Sequence, residues 1–370
     1  MADSALKFNP DWVSPPGETI ADLLEERNWS QAELAQRLGY TPKHLNQLIK
    51  GKVPLSEDAA MRLERVLGSN AGFWLAREAR YRERLARLEA EKRFEQWTDW
   101  LNCLPVRELM KTGVIEKKRL DAKNKPRLVE ELLRFFGVAS PDEWESRYGG
   151  MQVSFRRSRA DQSDTGAITT WLRMGERLAE RQDGLKYNHK SFDAALGKIR
   201  ALTQQPPENF EPRLCELCSE CGVSFVLAPA IPRAHVSGVA RWLNPHRPLI
   251  QLSLYGKTND RFWFTFFHEA AHLLLHGKQK KAVFLDDVTD GKADTKEEHE
   301  ANAWAADLLI PKQYQHELPL LKTKAQVRGF AQEIGIHPGI VVGRLQHEEI
   351  IPMNWMNELK VSFRICEGGE

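Results

Sequence analysis

The chain has 370 residues, of which 42% are hydrophobic and 28% are charged, the balance of an ordinary globular protein. This length predicts about two domains with sizeable cores and excludes a mainly disordered chain. The 53 basic and 51 acidic residues leave a net charge of +2, which excludes a positive field over the whole protein of the kind that attracts nucleic acid. Any nucleic-acid role must therefore come from a local site.

Neither a membrane span nor a secretion signal is expected. The sequence contains no run of 18 apolar residues, and its start lacks a basic end followed by an apolar stretch. Five cysteines are an odd and small number for this length, which is typical of a reducing compartment. We therefore expect a cytoplasmic protein without membrane partners.

Residues 17–75 predict four or five short helices with explicit start and stop signals. Ser30 and Glu33 form a capping-box pattern, and Gly39 ends the helix that they begin. Thr41 is a suitable N-cap and Pro42 suits the first helical position, so the next helix begins almost at once. Two short helices joined in this way have the geometry of a helix-turn-helix.

Residues 14–81 resemble the helix-turn-helix domain of HigA-type antitoxins and related Cro/C1-type repressors. The matching features are S-Q-A-E-L-A-x-x-L-G, L-x-x-L-I-x-G-K and A-x-R-L-E-x-x-L-G. The resemblance implies that the second helix of the motif enters the major groove of the protein's own operator DNA. The residues expected to contact bases are Thr41, Lys43, His44 and Gln47, and those expected to contact phosphates are Lys50 and Lys52.

Local charge does not strengthen this prediction. Residues 17–75 contain seven basic and eight acidic residues, a net charge of −1. Because phosphate contacts supply much of DNA affinity, we expect this helix-turn-helix domain, called the head below, to act as a homodimer or with additional DNA-contacting segments. The alternative is a helix-turn-helix fold that contacts protein instead of DNA.

Residues 76–209 are predicted to be a helical linker or spacer. Residues 76–93 are rich in both charges and indicate a solvated connecting helix, or alternatively a dimerising one. Further helices are expected at 167–180 and 191–202, and the three prolines of 204–212 indicate a break before the last domain.

Residues 210–370 predict an α+β domain in which a small sheet precedes paired helices. Strands are expected at 222–227, 236–242 and 248–254, and helices at about 261–276, 296–309 and 324–334. Near its start, Cys215, Cys218 and Cys221 lie three residues apart. This spacing forms one stripe of a helix and indicates small packed side chains, with a metal-binding thiol cluster as the alternative.

His268-Glu269-Ala270-Ala271-His272 is the strongest chemical signal in the chain. Two histidines four residues apart lie on the same face of a helix and can reach one tetrahedral metal ion, while Glu269 stands beside them. A third ligand is needed, and the residue types leave three choices at the start of the next helix: Glu298, His299 and Glu300.

The segments RFWFTFFHEAAHLLLHG and EEHEANAWAADLLIP resemble the ImmA/IrrE family of zinc-dependent endopeptidases. The resemblance extends over roughly residues 210–345 and implies a zincin-like metallopeptidase fold with bound Zn²⁺. It implies His268, His272 and Glu298 as the metal ligands and Glu269 as the catalytic base.

Peptide hydrolysis also needs a donor for the oxyanion and a place for the substrate. His235, Tyr255 and His276 are candidate donors, although each is more typical of ordinary packing. An extended substrate could pair with the edge of the strand at 236–242 or at 248–254.

Together, these patterns predict a multidomain protein: an all-α helix-turn-helix domain at 1–75, the spacer at 76–209 and the metallopeptidase-like domain at 210–370. The first functional hypothesis is a DNA-binding regulator whose zinc endopeptidase cleaves a protein partner, such as a repressor or a toxin-system component. The second is an antitoxin-like regulator whose metal domain is a sensor and cleaves nothing.

Overall fold

The computed structural model describes residues 14–148, 164–182, 184–254, 258–277, 284–287 and 295–364, with 284–287 described by their backbone. The chain divides into two compact units, residues 1–98 and 99–370. The boundary predicted at residue 210 falls inside the second unit, and the three-part division remains a prediction.

Within its described residues, the first unit is a bundle of five helices around its own apolar core. The helices are α1 (Pro16–Glu26), α2 (Gln31–Leu38), α3 (Pro42–Ile49), α4 (Glu57–Leu67) and α5 (Ala71–Gln96). The core includes the fully buried side chains of Ile20, Leu34, Leu45, Leu63 and Trp74.

The turn between α2 and α3 forms as its residues predict. The Ser30 hydroxyl accepts a hydrogen bond from the Glu33 amide at 3.1 Å, and Gly39 ends α2 in the left-handed region with φ of 71°. Thr41 caps α3 by accepting from the His44 amide. The reciprocal half of the predicted capping box differs, because the Glu33 carboxylate accepts from Arg37 at 2.8 Å.

The second unit begins with helices and continues into a sheet. The helices before the sheet are α6 (Val106–Lys111), α7 (Lys125–Phe136), α8 (residues 141–148), α9 (Thr165–Glu180), α10 (His189–Ala201) and α11 (Pro207–Glu220). Those after its first strands are α12 (Asn259–Leu275), α13 (Lys296–Leu309), α14 (Lys324–Ile334) and α15 (Pro338–His347). No helix among the described residues is long and apolar enough to cross a membrane.

The three cysteines of the predicted helical stripe pack into the core of the second unit. Cys218 and Cys221 are buried and Cys215 is half-buried against the same apolar cluster. Burial raises the pKa of the Cys215 thiol to about 11 and that of Cys218 well above its ordinary value. Protonated thiols in this setting behave as small apolar side chains.

Four short strands form the sheet in the order β1-β3-β2-β4. They are β1 (Ser224–Leu227), β2 (Val236–Asn244), β3 (Arg247–Leu252) and β4 (Phe284–Asp287). β1 runs parallel to β3, whereas β2 is antiparallel to both β3 and β4. The three predicted strands are confirmed, and β4 is an additional strand.

This strand order corrects the predicted place for a substrate. β3 lies between β1 and β2, and β2 lies between β3 and β4. The expectation that the strand at 236–242 or 248–254 offers a free edge is therefore wrong. Within the described residues, β1 and β4 are the outer strands.

The sheet lies between α9 on one face and α12 on the other. Alternate residues of a strand point to opposite faces, so β2 contacts both helices. On β2, Arg241 points to α9 and hydrogen-bonds Glu176 at 2.7 Å. Gly238 points to α12, where an added Cβ would lie 2.6 Å from Thr265 and 2.8 Å from Glu269. The central strands thereby place α12 directly beneath β2.

Candidate metal centre

His268 and His272 lie one turn apart on α12, and both are 1% exposed. Their Nε2 atoms are 3.0 Å apart. The phenylalanines and tryptophan around the motif pack into the core of the second unit, which buries this helix on several sides and brings its two imidazoles together away from bulk water.

Glu298 completes the group from the first turn of α13. Thr295 caps this helix by accepting a hydrogen bond from the Glu298 amide at 3.3 Å. The Glu298 carboxylate lies 3.1 Å from His268 Nε2 and 3.4 Å from His272 Nε2. Of the three candidates for the third ligand, Glu298 is the one whose carboxylate contacts both histidines. Glu300 contacts His276 instead.

The donor atoms of the three residues fit a divalent metal such as zinc. Zinc binds imidazole nitrogen and carboxylate oxygen at about 2.0–2.1 Å, so neighbouring donors of a tetrahedral site lie about 3.3 Å apart. The separations here are 3.0, 3.1 and 3.4 Å. Among the described residues, this is the one group of three His, Cys, Asp or Glu side chains whose donor atoms cluster in this way.

The ionisation states also suit metal binding. Burial would raise the pKa of Glu298, but hydrogen bonds to His268 and His272 outweigh it and hold that pKa at about 2. Burial lowers the pKa of His272 more than the nearby Glu298 raises it. The site therefore offers an anionic carboxylate and a neutral imidazole near neutral pH.

Glu269, which lies between the two histidines in the sequence, is completely buried. Its carboxylate approaches β2 closely at Gly238, where there is no side chain to obstruct it. The carboxylate is thus held beside the ligand group without being one of the three clustered donors.

Contacts behind the two histidines involve Asn302, which the sequence analysis did not name, and His276 and Glu300, which it named for other roles. His268 Nδ1 lies 2.9 Å from Asn302 Oδ1 on α13. His272 Nδ1 lies 3.3 Å from His276 Nδ1, and His276 Nε2 lies 3.1 Å from Glu300. The four-residue intervals from His272 to His276 and from Glu298 to Asn302 are the signals that could have indicated them.

The remaining candidate oxyanion donors differ in their settings. His235 is half-buried and has a left-handed φ of 50°. Arg233, two residues before it, has φ of 68°. Tyr255 lies outside the described residues.

The predicted DNA-contacting residues lie at the N-cap of α3, along α3 and just beyond its end. Thr41, Lys43, Lys50 and Lys52 are exposed, while His44 and Gln47 are half-buried. The His44 ring meets Tyr40 edge to face, with ring centroids 4.8 Å apart. Their contacts with DNA remain predictions.

The fold and the site together define a multidomain protein with a helix-turn-helix head and an α+β domain of metallopeptidase type. Comparison with known families agrees with both parts. Residues 20–74 match the helix-turn-helix family model, and residues 231–346 match the IrrE N-terminal-like domain of peptidase family M78. The resemblances proposed from the sequence are confirmed, as is the predicted fold class.

A curated relative is similar to this chain over a short segment. It is the uncharacterized HTH-type transcriptional regulator YddM of Escherichia coli strain K12, with 35% identity over 60 residues. The aligned segment covers 16% of this chain and 64% of the relative. The chain therefore combines a helix-turn-helix domain, which implies DNA binding, with an IrrE-like peptidase domain.

Proposed function

We propose that this protein is a DNA-binding transcriptional regulator whose second unit is a zinc-dependent endopeptidase that cleaves a specific protein partner. The observation that carries the proposal is the convergence of His268, His272 and Glu298 beside the buried Glu269. A repressor or a component of a toxin–antitoxin system is the kind of substrate that would link cleavage to transcription. An antitoxin-like role and a cytoplasmic location belong to the same proposal.

His268, His272 and Glu298 would hold the zinc ion. When bound, zinc would act as a Lewis acid and lower the pKa of water toward about 7. The Glu269 carboxylate would accept the proton of the attacking water and later transfer it to the leaving amine. A pure metal sensor has no need of this carboxylate, so its burial beside the ligands favours hydrolysis over sensing.

The helix-turn-helix head would bring the peptidase domain to the protein's own operator DNA. Because a helix-turn-helix protein usually reads two half-sites, we propose that the protein acts as a homodimer. The operator would lie in DNA upstream of the protein's own coding sequence.

Replacing Glu269 separates metal binding from hydrolysis. We expect the wild-type protein to hold about one zinc per chain, and E269Q to keep the metal while losing processing of the substrate protein. Zinc content would be measured on purified protein, and processing would be followed by the size of the products of neighbouring genes when they are co-expressed with the full chain. E333Q, on the exposed face of α14, is the matched control and should process normally.

The same experiment distinguishes the second hypothesis. If E269Q retains zinc, regulation and every product seen with the wild type, the metal domain is a sensor and the peptidase proposal is wrong. If zinc remains bound after H268A, H272A and E298A substitutions, the assigned ligand set is wrong.

A further inference from the structure

We infer that His276 is a positioning residue for the metal site, which fixes the His272 imidazole through a hydrogen-bonded chain that ends at Glu300. The inference rests on the proposed metal site and adds to it a residue that touches neither metal nor substrate. His276 follows His272 by one helical turn and is 8% exposed. Its two ring nitrogens face His272 and Glu300, at 3.3 and 3.1 Å.

The proton positions along this chain follow from the donors and acceptors. A neutral His272 that offers the Nε2 lone pair to a metal must carry its proton on Nδ1. That Nδ1–H can donate only to an unprotonated Nδ1 on His276. His276 must then carry its own proton on Nε2, where it donates to the Glu300 carboxylate. One arrangement of protons therefore satisfies all three residues.

Glu300 favours the same arrangement from the other end. A carboxylate accepts hydrogen bonds and does not donate them, so it selects the His276 tautomer with the proton on Nε2. Lys296 lies 3.4 Å from the same carboxylate and favours its anionic form.

The other histidine ligand is held in a parallel way. Asn302 Oδ1 lies 2.9 Å from His268 Nδ1, and an amide oxygen can accept the proton that His268 must carry there. Helix α13 thus supplies the ligand Glu298 and, at alternate positions 300 and 302, the two groups that orient the α12 histidines. Partners of this kind keep metal-binding imidazoles in the correct tautomer and orientation.

This arrangement also bears on the role of His276 in the reaction. Both of its ring nitrogens are engaged behind the ligand group, one by His272 and the other by Glu300. His276 therefore acts through His272, and we do not assign it as the donor to the oxyanion.

The inference is tested by zinc affinity, measured by competition with a chromogenic chelator on the full chain. H276L removes both hydrogen bonds and should weaken zinc binding 10- to 100-fold, the usual effect of losing such a partner. H276N places an amide oxygen near the former Nδ1 position, keeps an acceptor for His272, and should recover most of the affinity. H299A, an exposed histidine on α13, is the control and should bind zinc like the wild type.

A second measurement follows the protons directly. Side-chain ¹H–¹⁵N correlation spectra at pH 7.5 should show His276 protonated on Nε2 already in the metal-free wild type, where Glu300 selects this tautomer, and His272 protonated on Nδ1 once zinc is added, with signals assigned from the substituted chains. Thermal unfolding of each metal-free variant shows whether it is folded, and the position of the His276 proton in the wild-type spectra tests the inference if H276L does not fold.

The outcomes separate this inference from the proposed function. Wild-type zinc affinity in H276L, or a proton on Nδ1 of His276, would overturn the inference while leaving the metal site intact. A wild-type chain that binds no zinc would overturn the proposed function, and the metal-free spectra would still decide whether His276 carries its proton on Nε2, as the inference requires.

Discussion

Gly238 shows how a single residue on the sheet controls the position of the Glu269 carboxylate, the proposed catalytic base. An added Cβ at this position would lie 2.8 Å from Glu269 Oε1, 2.6 Å from the Thr265 methyl group and 2.9 Å from Leu252. All three neighbours are buried, so none can move without displacing others. The absence of a side chain on β2 therefore allows Glu269 to reach its place.

We expect G238A to disturb the site as well as the fold. Overpacking of this kind costs about 1–3 kcal/mol of unfolding free energy, and displacement of Glu269 should reduce processing of the substrate protein. Denaturant unfolding and the processing assay would measure the two effects. G329A is the control, because its Cβ meets nothing within 4 Å on α14 and a helical glycine-to-alanine change is expected to stabilise by about 0.4–1 kcal/mol. Equal unfolding free energies for the two variants would contradict the close packing at Gly238.

At the scale of elements, the sequence predicts those parts of the fold whose signals are local. Ser30, Gly39 and Thr41 specify the ends of α2 and α3 through their own backbone contacts, and the i, i+4 histidines specify one face of α12. The four-residue strand β4 has too short a pattern to predict and is defined by its pairing with β2. The choice of Glu298 among three neighbours depends on how α13 packs against α12, which no local pattern contains.

Helix α9 is a second element whose placement depends on distant residues. It lies in the predicted spacer, yet Glu176 on α9 forms a buried ion pair with Arg241 on β2, with N–O distance 2.7 Å and side chains 7% and 4% exposed. Arg173 donates to the same carboxylate at 2.8 Å. Arg241 also donates to the Leu172 carbonyl. This pair connects α9 to the face of the sheet opposite α12.

Removing one partner of this ion pair should lower the unfolding free energy of the second unit. E176Q leaves the Arg241 charge buried without its counter-ion, for which a loss of about 3–5 kcal/mol is typical. E180Q is the matched control, because Glu180 also binds Arg173 but is 57% exposed, and exposed pairs contribute about 0–1 kcal/mol. The measurement is the unfolding free energy of the second unit, followed by hydrogen exchange of its amides. Similar losses for both variants would show that the pair does not hold α9 to the sheet.

Acid should weaken the same connection. Burial would raise the pKa of Glu176, but Arg241 and Arg173 outweigh it and lower that pKa below its ordinary value of 4.5. A carboxyl whose pKa is lowered in the folded state stabilises the protein fully above its unfolded pKa and loses this contribution as the pH falls through the folded pKa. We therefore expect the unfolding free energy of the wild type to fall below pH 4.5, and that of E176Q to fall less steeply. Parallel pH profiles for the two proteins would contradict this assignment.

At the scale of the whole molecule, charge limits how the protein can use DNA. The net charge of the chain is +2, and residues 17–75 carry seven basic and eight acidic residues. A head without excess positive charge gains little from its overall field, so we expect its DNA affinity to depend on a few contacts in and just after α3 and on the proposed pairing of two heads. The basic residues at 43, 50 and 52 lie in a stretch of the sequence, residues 34–56, that contains no acidic residue.

This distribution predicts different effects for base-contacting and phosphate-contacting residues. K43A and Q47A should each weaken binding of the full chain to its own upstream DNA by about 1–3 kcal/mol and relax its sequence preference, as expected for lost base contacts. K50A should weaken binding to all sequences alike and reduce the slope of log affinity against log salt by about one. R65A removes the same charge from an exposed position on α4 and is the control, for which we expect little change.

Gel retardation over a series of salt concentrations would measure all four variants. If K43A and Q47A retard the DNA like the wild type, α3 does not read bases, and the helix-turn-helix of this protein contacts another protein instead.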